Sequence, residues 1–319
     1  MNRSLGKVWV VSIPMRIPFR GIRHREALIF KGERYAEWSP FLEYQDAEAA
    51  TWLKAALSWA NEPLPDLVRE EIPINATLPA VTPQEVESVL KNFGSFSTVK
   101  IKVASAGEDL AADIARMERV RELYPTARIR LDANGGYSLD QALALVDHLA
   151  GFNIEYLEQP VREISELASL RTQISGSGIK IAADESIRKT GDPQQVASAK
   201  AADIVMLKAQ PLGGIAASLE IASELGLEVV VSSALETSVG ISHGLYLAGA
   251  LPDLHYDCGL GTVNLLEGDL SSDPLVPVDG MLDVRVAEPD PLLLERFAAS
   301  QERTRWWEDR LARCLELNT

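Results

Sequence analysis

The sequence predicts an α/β protein: a (β/α)8 TIM-like barrel with an α+β capping domain formed by the N-terminal segment and the C-terminal tail. Three observations carry this prediction. From about residue 74, short apolar runs rich in β-branched residues alternate with helical patterns. The runs are apolar throughout, as strands of a parallel sheet covered on both faces require. Counting "INATLP" (74–79) as the first gives eight strands, which favours a closed barrel over an open doubly wound sheet. No G-x-G-x-x-G follows any strand, so the main dinucleotide-binding signal is missing.

In chain order, residues 8–15 and 26–37 read as antiparallel strands, and 46–62 as an amphipathic helix containing tryptophan. The barrel strands follow as "TVKIKVA" (98–104), "ARIRLDAN" (127–134), "NIEYLEQP" (153–160) and "IKIAADES" (179–186). "DIVMLKAQ" (203–210), "EVVVSSALE" (228–236) and "DLHYDCG" (253–259) complete the set. Helical patterns such as "SLDQALALVDHLA" (138–150) and "GGIAASLEIASELG" (213–226) lie between them. The segment 275–297 holds one more strand-like run, followed by an apolar-periodic helix rich in Trp and Arg. Residues 1–76, completed by the tail 262–319, are therefore expected to form the cap, and 77–261 the barrel.

Charge narrows the function classes. The balance of 31 Lys+Arg against 46 Asp+Glu gives −15, leaving no basic stripe to meet a phosphate backbone, so nucleic acid is not an expected partner. Cys258 and Cys314 lack the spacing of a disulfide framework or a structural zinc site, and a reducing cytoplasm is the expected compartment. The apolar run "VWVVSI" (8–13) is too short for a membrane span, and no cleavage-like signal follows it.

The strand ends carry the chemistry. Lys100 and Lys102 sit one residue apart in "TVKIK" and so share a face. Asp132, Glu158 and Asp184 each end a strand, 26 residues apart, and Lys208 ends the next strand 24 residues on. One βα unit per carboxylate places all three at the C-terminal end of the barrel, where barrel active sites lie. A single strand-end Asp is more often the N-cap of the next helix, and a lysine pair on an edge strand is a solvated one. Three carboxylates in register between lysine-bearing strands are not explained that way. Their mutual repulsion calls for a cation, and hard oxygen ligands suit Mg2+, with Mn2+ as a substitute. Lysine beside other cations has its pKa lowered, which makes a neutral amine available as a base. A carboxylate substrate at such a metal has its α-proton acidified, and Lys102 and Lys208 flank it on opposite faces.

These residues resemble the enolase superfamily, in particular its muconate-lactonising subgroup. That subgroup has K-x-K at the end of the second strand, Asp, Glu and Asp at the third to fifth, and lysine at the sixth. Here the matching positions are Lys100 and Lys102, Asp132, Glu158, Asp184 and Lys208, and "GERYAEWSPF" (32–41) is similar to the cap's G-E segment. The shortened cap, Ser232–Ser233 and "CGLGTVNLL" (258–266) lean towards a dehydratase branch of menaquinone biosynthesis, although Gly261 stands where that branch's pattern has Asp. The resemblance implies that Lys102 takes the α-proton of a cyclohexadiene carboxylate and then assists loss of its hydroxyl. It implies that Lys208 acts as a cation, that Ser233 and Gly259 line the pocket, and that Arg23 or Arg25 in the cap loop meets a second carboxylate. The residues leave other readings open. One is an N-acylamino-acid racemase or dipeptide epimerase using both lysines as bases. Others are a Schiff-base aldolase, disfavoured by the carboxylates, and a non-catalytic metal-binding barrel.

Overall fold

The computed structural model describes residues 5–19, 21–188 and 192–318. The chain begins with a three-stranded antiparallel sheet of β1 (Val8–Phe19), β2 (Ile22–Lys31) and β3 (Tyr35–Trp38). The helix Asp46–Asn61 lies on this sheet. Its buried Ala49, Trp52, Leu53, Ala56, Trp59 and Ala60 recur at helical spacing, and Asp46 and Glu48 complement its positive N-terminal end. The tail returns to the same sheet as the helix Gln301–Leu317, capped by Ser300. Trp307 of that helix packs edge-on against Trp38 at 5.3 Å and donates to Glu26 at 2.7 Å, while Arg303 grips Glu26 with two nitrogens.

A short ribbon links cap and barrel. In it, β4 (Glu71–Pro73) pairs antiparallel with β12 (Met281–Asp283), the strand-like run expected in the tail. Seven parallel strands then follow in sequence order: β5 (Ala76–Leu78), β6 (Thr98–Lys102), β7 (Arg128–Asp132), β8 (Ile154–Glu158), β9 (Lys180–Ala183), β10 (Ile204–Leu207) and β11 (Glu228–Val231). The expected eighth strand shrinks to two residues. Cys258 bridges to Ile74 beside β5, and Gly259 to Ser232 beyond β11, so this short segment spans the gap between first and last strands. Its bonds are nonetheless complete, with Cys258 N donating to Pro73 O and Gly259 N to Val231 O.

The strands are buried on both faces. Ile101, Ile129, Leu131 and Leu157 belong to the main core, and the alternate positions fill the barrel in layers. The lower layer holds Tyr156, Ala182, Ile204, Met206, Val230 and Tyr256. Arg130 threads this layer, stacked on Tyr156 at 4.9 Å and on Tyr256 at 5.7 Å, with Glu155 as its ion-pair partner. This solid floor leaves only the C-terminal end of the barrel open to chemistry.

Cap and barrel are joined by buried polar contacts after β11. Glu37 of β3 accepts from Thr237 N at 3.1 Å and Gly240 N at 3.2 Å, so it caps the helix Ser238–Ala250 from outside the barrel. Burial pushes its carboxyl up to about 7, with Glu236 adding to the effect and the Thr237 hydroxyl opposing it. An acid held above its ordinary value stabilises the fold while protonated. That contribution is full below the unfolded value of 4.5 and is lost as pH rises through about 7. Thermal unfolding should therefore show wild-type stability falling between about pH 5 and about pH 8, with a flatter profile for Glu37→Gln. Parallel profiles would mean that Glu37 stays ionised throughout.

Candidate active site

Strand register builds the site. Lys102 lies opposite Asp132 in β6 and β7, and Asp132 opposite Glu158 in β7 and β8. Asp184 and Lys208 are the first residues beyond β9 and β10. All of these side chains are buried, and Glu158 and Asp184 are fully so. Lys100 Nζ lies 3.0 Å from Glu158 Oε1 and 3.2 Å from Asp132 Oδ2, so two carboxylates converge on one nitrogen. Lys208 donates to Asp184 Oδ2 at 2.6 Å, and Arg188 to the same oxygen at 3.1 Å. Lys102 Nζ donates to the carbonyls of Val103 at 2.7 Å and Asp132 at 3.2 Å.

The electrostatics differ from the expectation that crowded cations lower a lysine's pKa. Burial lowers that of Lys100, but Glu158 and then Asp132 outweigh it, and the net shift is upward. Asp184 falls well below the usual carboxylate range, because Arg188 and Lys208 overcome the opposing effect of burial. Asp132 is also lowered, with burial opposed by Lys100 and Lys102. Glu158 goes the other way. Burial and then Asp132 push it up to about 8 despite Lys100. It is the least compensated of the three carboxylates.

Among the described residues, no group of three His, Cys, Asp or Glu side chains is gathered closely enough to hold a metal ion as it stands. The Lys100 and Lys208 ammonium groups lie against these carboxylates. The donor set itself fits a hard divalent cation. It is all oxygen and deeply buried, and Glu158 is short of positive charge. Beside it, Glu185 Oε2 and Asn134 Oδ1 are buried without a protein partner.

Neighbouring polar residues hold the strand ends in place. Gln159, at φ 39° in "EQP", accepts from Asp184 N at 3.0 Å and Ser186 N at 3.2 Å. Its amide donates to Val161 O and Ser186 Oγ, so one side chain ties the end of β8 to the end of β9. Arg116 donates to the Lys102 carbonyl at 2.9 Å and pairs with Asp113, which accepts from Ala104 N just past β6. The sequence singles out neither residue, because both roles depend on partners that only the fold brings together.

A cavity of about 40 Å3 lies over the charged layer, lined by Lys100, Asp132 and Lys208, by the 232–235 segment, and by Phe19 and Phe41 from the cap. Ligand pockets usually offer roughly 300–1,000 Å3, so a ring-sized substrate needs more room than this cavity holds. Ser233 and Gly259 line the cavity, and a Cβ at Gly259 would lie 2.6 Å from Ser232 Oγ. Thr262, whose hydroxyl meets that of Ser233 at 2.7 Å, lines it too, as do Thr77 and Asn134. Thr262 and Asn134 fall inside the quoted runs "CGLGTVNLL" and "ARIRLDAN", but nothing in the residue pattern distinguishes them. Gly261 has Ile74 Cγ2 2.9 Å from where its Cβ would be, so Ile74 takes the space a side chain there would need. Arg23 is exposed and does not line the cavity. Arg25 corrects the expectation of a substrate partner, because it is buried and its donors are spent on backbone carbonyls.

Comparison with known proteins agrees with this architecture. Residues 82–289 match the family described as "Enolase C-terminal domain-like", and residues 10–60 match "Enolase N-terminal domain-like". The fold is shared with muconate lactonizing enzyme from Pseudomonas fluorescens, with a TM-score of 0.79 at 21% identity over 92% of this chain and 98% of that one. An N-succinyl Arg/Lys racemase from Bacillus cereus superposes with a TM-score of 0.77 at 20% identity, covering 92% and 97% of the two chains. The chain belongs to the enolase superfamily. Its relatives at much higher identity are o-succinylbenzoate synthases. That of Mycolicibacterium smegmatis is 48% identical, covering 98% of this chain and 97% of the relative. That of Mycobacterium tuberculosis is 47% identical, covering 99% and 96%. Family membership implies dependence on a divalent cation. No described helix is long and apolar enough to cross a membrane.

Gln159→Leu tests the strand-end lock. It keeps the volume but strands the buried amides of Asp184 and Ser186, each worth about 1–3 kcal/mol if left unpaired. Urea unfolding should show a loss of roughly 2–5 kcal/mol. A loss within experimental error would mean that water substitutes for the amide.

Proposed function

We propose that this chain is an o-succinylbenzoate synthase, a carbon–oxygen lyase that eliminates water from a succinyl-hydroxy-cyclohexadiene carboxylate in menaquinone biosynthesis. The observation that carries the reading is the 47–48% identity over nearly the whole chain to enzymes of that name, combined with lysines on both sides of three strand-end carboxylates. Asp132, Glu158 and Asp184 would hold Mg2+, with Mn2+ as a substitute. When bound, the cation supplies positive charge against the substrate carboxylate as its α-carbon loses a proton.

Lys102 removes the α-proton. Now an ammonium, it returns that proton to the departing hydroxyl on the same face, so water leaves and the ring becomes aromatic. Lys208, on the opposite side, acts through its positive charge alone. Lys100, already between Asp132 and Glu158, steadies the anionic centre. Ser233 and Gly259 shape the pocket around the ring. Arg23 is exposed on the hairpin that carries the cavity-lining Phe19, and we assign it to the distal carboxylate. The substrate is a small molecule and the expected compartment is the cytoplasm.

Turnover of the synthase substrate beside a panel of N-acylamino acids, with and without Mg2+, tests this reading. Lys102→Arg should be inactive. Lys208→Arg, which keeps the charge in a more diffuse form, should retain more activity than Lys208→Ala. Efficient racemisation of N-acylamino acids with no dehydration would overturn the assignment.

Metal binding can be read separately by thermal shift. Mg2+ at about a hundred times its Kd should stabilise the protein by about 2.7 kcal/mol. Glu158→Gln should abolish that shift and slow turnover by roughly a thousandfold or more. An unchanged shift in this variant would remove Glu158 from the ligand set.

A further inference from the structure

Arg25 of β2 is buried within the cap–barrel boundary, with its guanidinium stacked over Phe41 at 4.7 Å. Its Nε donates to the Leu235 carbonyl at 3.2 Å, and Nη2 donates to the Ala234 carbonyl at 3.1 Å and to the Ser39 carbonyl. Ser39 belongs to the cap, while Ala234 and Leu235 belong to the segment after β11 and line the cavity. One planar group thus bridges both bodies at the wall of the site. Leu235 has φ 65°, the left-handed region that a side chain of this kind rarely adopts. The next residue acts from the other side, since Glu236 Oε2 accepts from Ala234 N at 2.5 Å. Gln210, beyond β10, donates to Glu236 and accepts from Ser39 N, both at 3.4 Å.

We propose that Arg25 is a positioning residue: by clamping the Ala234 and Leu235 carbonyls it holds Leu235 in its left-handed conformation, and so sets the shape of the substrate-facing wall at residues 232–235. The inference rests on reading this cavity as the synthase substrate pocket. It makes pocket shape depend on how the cap is seated, because the same guanidinium is anchored to Ser39. Strain at Leu235 persists only while the surrounding bonds impose it. The wall should therefore relax when the clamp is weakened.

The test is a double-mutant cycle of Arg25→Lys and Leu235→Gly. Lysine keeps the charge near Glu37 and Glu236 but cannot hold three carbonyls in one plane. Glycine takes the left-handed conformation without help. Arg25→Lys alone should raise KM at least about tenfold with kcat within about threefold, and in the Leu235→Gly background it should change KM by less than about threefold. An equal rise in KM in both backgrounds, an unchanged KM, or a loss confined to kcat would overturn the proposal. If Arg25→Lys alone does not fold, a folded double variant supports the clamp, and an unfolded one shows that Arg25 serves the fold instead. Hydrogen exchange of the amides at 234–236 in ligand-free protein separates this proposal from the functional reading. Arg25→Lys should accelerate it only where Leu235 is present, whatever the substrate proves to be, and unchanged exchange would overturn the clamp even in an active enzyme.

Discussion

Three carboxylates buried at the ends of neighbouring parallel strands persist only with positive charge held against them, and much of the active-site end follows from that constraint. Each ion taken from water costs several kcal/mol unless it is closely paired. Parallel register brings Lys102, Asp132 and Glu158 level with one another, and the alternation of side chains keeps Lys100 inside with them. Lys208 and Arg188 then converge on Asp184. The compensation is uneven. Asp184 is held as a carboxylate, whereas Glu158 is pushed up to about 8 by burial and by Asp132. Glu158 is thereby the least compensated carboxylate of the three.

The same constraint accounts for the supporting polar residues. A buried carboxylate works only if its direction is set, so backbone groups beside it are tied down by side chains with no chemical role of their own. Gln159 does this for Asp184, and Arg116 with Asp113 does it for the end of β6. Below them Arg130 and the tyrosines close the barrel floor. Reaction is thereby confined to one end. The cap contributes what the barrel lacks, namely apolar cover from Phe19 and Phe41 and a buried polar joint through Glu37 and Arg25.

The chain's own pattern was enough for the barrel, the order of its strands and the set of strand-end charges. Apolar β-branched runs alternating with helical patterns read as a parallel sheet covered on both faces. One βα unit per carboxylate then puts Asp132, Glu158 and Asp184 at the same end. The K-x-K pair was legible for the same reason, because two residues apart on a strand means one face. These are consequences of local periodicity, which a sequence states directly. Tertiary structure decided the rest. The eighth strand shrank to Cys258 and Gly259 because pairing depends on neighbours distant in the chain. The shift at Lys100 runs upward because a pKa depends on which charge lies within about 4–6 Å, and here Glu158 and Asp132 lie against it. Arg25 changed from a substrate partner to a ligand of backbone carbonyls because an arginine near a loop carries no mark of its acceptor. Its partners lie some 200 residues away, at Ala234 and Leu235. Only folding brings them together.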